Sequence, residues 1–124
     1  MNDKIIYPEL SYKIVGLAIQ VRKELGYGYL EKVYENAMMV MLRQDGIHAE
    51  QQVPIKIQFH GYVIGDYYPD ILVEKKIILE LKSQERIIEA NKAQALNYLR
   101  ATGIKLAIIL NFGKHRLESE RLVL

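Results

Sequence analysis

The sequence predicts a mixed α/β or α+β fold, a sheet flanked by helices, and three observations carry that expectation. Two segments near the start repeat apolar residues at helical spacing. The middle of the chain changes to alternation and then to short runs that are apolar on both faces. A last helical segment is followed by one more such run. With 124 residues, half of them apolar, the chain can bury one core, so a single domain over residues 1–124 is expected.

Taken in order, residues 9–25 place Leu10, Ile14, Leu17, Ala18, Val21 and Leu25 on one helical side, with Pro8 near the start and Gly26 past the end. The stretch GYGY follows, and residues 30–45 set Leu30, Val33, Tyr34, Ala37, Met38 and Met41 on a second helical face that closes at Gly46. A Gly-rich turn before a helix suits a phosphate. With no preceding strand or lysine signature, this one reads instead as the seat of the second helix. Ile55, Ile57 and Phe59 then alternate with Lys56 and Gln58, His60 and Gly61 form a turn, and Tyr62, Val63 and Ile64 lead back. That is a hairpin with one wet face. DILV at 70–73 and IILELK at 77–82 read as central strands, 86–101 as a third helix ending at Gly103, and KLAIILNF at 105–112 as another buried strand. The tail LESERLVL adds a short edge strand.

Composition excludes several classes of chemistry. There is no cysteine, hence no disulfide, thiolate metal site or thiol nucleophile. A net charge of +2 is too mild to announce a nucleic-acid binder by itself. The opening MNDKIIYPEL lacks the apolar core of a signal peptide, and no run approaches the ~20 apolar residues of a membrane span. The expected location is the cytoplasm, with no membrane partner.

Within IILELK, Glu80 and Lys82 interrupt an apolar strand. Positions i and i+2 of a strand share a face, about 6.6 Å apart, so the two charges are neighbours. Asp70 begins the preceding strand, directly after Pro69. If the hairpin sets 73 opposite 77, Asp70 faces Glu80, with Cβ atoms about 5 Å apart. A two-residue turn at Lys75 and Lys76 would throw Asp70 onto the other face. Two carboxylates that close repel by roughly 3 kcal/mol at an effective dielectric of 20. A divalent cation offsets that repulsion, and oxygen donors with water suit Mg²⁺. Lys82 would then lie where an attacking water is handled. The same spacing also serves a plain ion pair between Lys82 and either carboxylate. Glu31 and Glu35 stand one helical turn apart, as do Gln94 and Tyr98, and both pairs also suit ordinary helix chemistry or packing. His48 has no role in this reading.

Together, GYLEKVY at 28–34, PDILVEKKIILELKS, QALNYLRATG and AIILNFG resemble the GxxExxY proteins, a small bacterial family within the PD-(D/E)XK nuclease superfamily. The resemblance runs in order from about residue 9 to the end. It implies a restriction-endonuclease-like core, a central mixed sheet of four to six strands flanked by helices. It implies Asp70 and Glu80 as metal ligands and Lys82 as the catalytic lysine; the Leu81 carbonyl between them is expected to complete the metal's shell. It also implies Gln94 and Tyr98 as the assisting Gln-x-x-x-Tyr pair, and Glu31 as a metal ligand or its support. The implied activity is a Mg²⁺- or Mn²⁺-dependent nuclease acting on nucleic acid, DNA first. The rival is a nucleic-acid-binding or assembly module that keeps the fold without turnover. A chain this small with no targeting segment is expected to work as a homodimer or within a larger assembly.

Overall fold

The computed structural model describes residues 6–124. Residues 1–5, part of the stretch that argued against a signal peptide, lie outside the described residues. The elements are α1 (Pro8–Leu25), α2 (Glu31–Gln44), β1 (Ala49–Gln51), β2 (Ile55–Phe59), β3 (Tyr62–Tyr67), β4 (Ile71–Val73), β5 (Ile77–Lys82), α3 (Glu89–Thr102), β6 (Leu106–Phe112) and β7 (Leu117–Val123). Five strands form the main sheet in the order β1-β4-β5-β6-β7, and β2 and β3 form a separate hairpin. Only β5 and β6 are parallel within the main sheet, joined through α3 as a βαβ crossover requires. This is the expected mixed sheet flanked by helices.

Each face of the sheet has its own core. Ile71, Val73, Ile77, Leu79, Leu81, Leu106, Ile108 and Leu110 point toward α1 and α2, where Ile14, Ala18, Val21, Tyr34, Met38 and Leu42 cover them. The intervening residues Leu72, Ile78, Ala107 and Ile109 point toward Ala95 and Leu99 of α3 and toward Tyr67. Period-2 alternation between two covered faces is why β5 and β6 read as continuous apolar runs.

Three details differ from the sequence expectation. Strand β1 was not anticipated: its three residues, Ala-Glu-Gln, carry no apolar alternation, and only pairing with β4 makes them a strand. Helix α3 begins at Glu89, not 86. The Ile87 N–H is drawn to Glu118 Oε1 at 3.1 Å and the Ile88 N–H to Asn91 Oδ1 at 3.0 Å, so the chain stays extended through Ile88. The hairpin is wet on both faces for most of its length. Tyr62 through Asp66 are all exposed, the register slips between Ile57 and Gln58, and only Ile55, Ile57 and Tyr67 pack against the α3 face. A bulge of this kind bends and twists a strand, so its outer half has no core beneath it.

At the far end of β5 the chain is tied down by Asn111, fully buried and paired in the ladder with Lys82. Its Oδ1 accepts the Gln84 N–H at 2.9 Å, and its Nδ2 donates to the Gln84 carbonyl at 2.9 Å and to Glu118 Oε1 at 3.0 Å. Replacing Asn111 with Ala leaves these groups without partners in a buried place. A loss of about 2 kcal/mol in unfolding free energy is expected. Urea denaturation of the variant checks it.

Candidate active site

Asp70 and Glu80 meet because of the turn between β4 and β5. Glu74 and Lys75 both adopt positive φ (52° and 57°), and the Lys76 N–H closes on the Val73 carbonyl at 2.8 Å. Two successive left-handed residues make a primed turn, whose twist suits a hairpin. Lys76 is then an extra residue before the ladder begins. Val73 pairs with Ile77, Leu72 with Ile78 and Ile71 with Leu79. One step further, this register sets Asp70 across from Glu80. Glu80 and Lys82 follow Ile78 on the α3 face, whereas Leu81 between them is fully buried in the other core.

All three polar side chains are half-buried. The Leu81 N–H donates to Asp70 Oδ2 at 2.8 Å, and the Tyr67 hydroxyl donates to Glu80 Oε2. Burial pushes the Glu80 carboxyl up to about 7. The Asp70 charge adds to this, while the Tyr67 hydrogen bond and the Lys82 charge oppose it. Asp70 is raised as well, chiefly by burial. The Leu81 N–H holds it down, Glu35 and Glu31 push it up, and Lys82 lowers it. Burial, followed by the Glu80 carboxylate, also raises Tyr67. None of the ion pairs among the described residues joins Lys82 to either carboxylate. The two carboxyls are thus crowded without full neutralisation.

The start of α2 is held beside this strand end by Tyr34. Its ring is fully buried and stacks on Phe112 at 4.4 Å, and its hydroxyl donates to the Gly26 carbonyl at 2.7 Å. The Ser83 hydroxyl, next to Lys82, donates to the Tyr29 carbonyl at 2.8 Å. Gly28, at φ 107°, allows the loop between those anchors its path. The two helical glutamates end in different settings. Glu31 is exposed, whereas Glu35 is 4 % exposed and accepts from Gln51 Nε2 at 2.7 Å and Lys32 Nζ at 3.1 Å. Glu35 comes before Glu31 among the charges raising Asp70.

On α3, Tyr98 stacks on Tyr67, centroids 3.6 Å apart and planes within 8°. It therefore reaches Glu80 through Tyr67. Gln94 is exposed, and no hydrogen bond among the described residues joins it to the carboxylates. Sequence reasoning missed Tyr67 and Gln51, and it passed over Glu35 in favour of Glu31. With nine tyrosines in the chain, nothing local distinguishes Tyr67. The available signal for Glu35 was its position one turn after Glu31.

A family model for the PD-(D/E)XK nuclease superfamily matches residues 8–122. This chain belongs to that superfamily. The letters of the superfamily's name can be read at Pro69-Asp70 and at Glu80-Leu81-Lys82, the residues that the β4–β5 register brings together. The restriction-endonuclease-like core is also found in a solved protein, the crystal structure of SSO0001, with a TM-score of 0.60 at 18% identity. The alignment covers 74% of this chain and 48% of that one, so the present chain spans about half its length. No curated protein matches the chain. Among the described residues no helix is long and apolar enough to cross a membrane.

Asp70 and Glu80 would fit a hard divalent cation better than a soft one, because the donors they offer are carboxylate oxygens. No group of three or more His, Cys, Asp and Glu side chains poised to hold a metal occurs among the described residues. Two carboxylates completed by water, a backbone carbonyl or substrate phosphate is a donor set that Mg²⁺ accepts.

Proposed function

We propose that the protein is a metal-dependent nuclease that hydrolyses phosphodiester bonds of nucleic acid, DNA first, and that residues 1–124 form one such domain. The observation that carries this reading is the crowding of Asp70 and Glu80 across two neighbouring strands, with both carboxyls raised from their ordinary values. An uncompensated pair costs stability, and a site that keeps one is suited to a cation.

In this reading Asp70 and Glu80 hold Mg²⁺ or Mn²⁺ with the Leu81 carbonyl. When bound, the cation supplies Lewis-acid polarisation of the scissile phosphate. The Leu81 N–H keeps one Asp70 oxygen occupied, so the carboxylate presents the other. Lys82 orients the attacking water and steadies the negative charge that grows on the phosphorus oxygens. Glu31, at the solvent edge, supports the ligand set from α2. Gln94 and Tyr98 face the substrate from α3, the first as an exposed amide donor, the second through its phenol. A homodimer or larger assembly would add further substrate contacts.

The test is cleavage of a mixed panel of single- and double-stranded DNA and RNA, with Mg²⁺, with Mn²⁺ and with chelator, by wild type and Glu80→Gln. Cutting that needs metal and disappears in the variant is expected. Nucleic-acid binding that persists with no metal-dependent cutting in wild type would replace the nuclease with a binding module.

A further inference from the structure

We propose that Tyr67 is a positioning residue of this site: its hydroxyl holds the Glu80 carboxylate in the orientation that receives the cation, and its ring holds Tyr98 beside it. The inference rests on the nuclease reading and extends it to a side chain outside the sequence motif.

Tyr67 is the last residue of β3 and is 6 % exposed, in a strand whose other residues are all exposed. Its hydroxyl donates to Glu80 Oε2 and its ring lies flat on Tyr98 at 3.6 Å. A glutamate at the end of a strand retains three side-chain torsions. A hydrogen bond to one oxygen restricts the rotation of the carboxylate, the service that outer partners perform for metal ligands. The ring does separate work. Tyr98 is only partly buried on α3, and a parallel aromatic on its face selects one orientation of its phenol. Simple packing would explain the ring but not the hydroxyl. Phenylalanine would fill the same space on the α3 face without placing a donor on Glu80.

The experiment compares Tyr67→Phe with Tyr68→Phe, a neighbour 51 % exposed and outside the site. Mn²⁺ is titrated calorimetrically into each metal-free protein without nucleic acid. Tyr67→Phe is expected to bind Mn²⁺ about 10- to 100-fold more weakly than wild type, the usual loss when an outer partner of a ligand is removed. Tyr68→Phe is expected to match wild type. In cleavage, Tyr67→Phe should lose kcat with KM for nucleic acid little changed. Equal or tighter Mn²⁺ binding by Tyr67→Phe overturns the assignment. So does a Tyr67→Phe protein that fails to fold by circular dichroism, because the hydroxyl would then hold the fold and not the ligand. Wild type that binds no Mn²⁺ at all sinks the metal-site reading underneath, an outcome distinct from Tyr67→Phe matching a wild type that binds.

Discussion

Lys82→Ala is expected to reduce metal-dependent cleavage by at least about 100-fold while leaving the fold and the Mn²⁺ affinity close to wild type. The ammonium lies on the same strand face as Glu80, two residues on, and its charge lowers both carboxyls without a direct ion pair among the described residues. In the proposed mechanism this removes the group that orients water and steadies developing charge, but none of the oxygens that would hold a cation. Lys82→Arg should not restore activity, because the larger, planar guanidinium spreads its charge over three nitrogens and does not put a compact charge where the ammonium stands. Asp70→Ala should differ in kind, losing cleavage together with Mn²⁺ binding. Steady-state cleavage and calorimetry on the three variants check the distinction. An active Lys82→Ala would remove the lysine from the mechanism.

The second large effect concerns stability. The Glu80 carboxyl is raised from 4.5 to about 7 in the folded protein, so the folded state holds that proton more tightly than the unfolded chain does. Stability from this group is fully present below about pH 4.5 and is lost as pH rises through about 7, a change of about 3 kcal/mol for a shift of that size. The raised Asp70 acts in the same direction. The metal-free protein should therefore melt at a higher temperature at pH 5 than at pH 8. Glu80→Gln should flatten most of that difference, and Mg²⁺ should raise Tm at pH 8 by binding only the folded state. Melts across this range, with and without Mg²⁺, provide the measurement. A wild-type profile that is flat from pH 5 to 8 would contradict the crowding of the two carboxyls.

The amino-acid order makes much of this architecture legible, for physical reasons that differ by element. β5 and β6 are apolar on both faces because helices cover both, and a run such as IILELK has few other ways to be buried. The polar breaks Glu80 and Lys82 stand out against that background. The register that joins Asp70 to Glu80 was only one of two that the sequence allowed. The choice falls to Glu74 and Lys75, two ordinary residues in left-handed conformations that no glycine signals. β1 was invisible because pairing, not composition, makes it a strand. The start of α3 was misplaced because Glu118, 31 positions from Ile87, draws its N–H away from a helix. Tyr67 and Glu35 belong to the same class of miss. Each is an unremarkable letter locally, and its setting depends on what the folded chain puts against it.

The anchoring of the segment after Lys82 has a kinetic consequence. Asn111 clamps Gln84 through both its backbone groups, and Ser83 is fastened to the loop before α2, so the strand end that carries the lysine is rigid before any substrate arrives. The entropy of ordering that backbone is lost when the chain folds and is not lost again at each encounter. In the proposed nuclease, capture of a phosphodiester would then involve no slow local rearrangement there, and its rate would be governed by diffusion and by ionic strength.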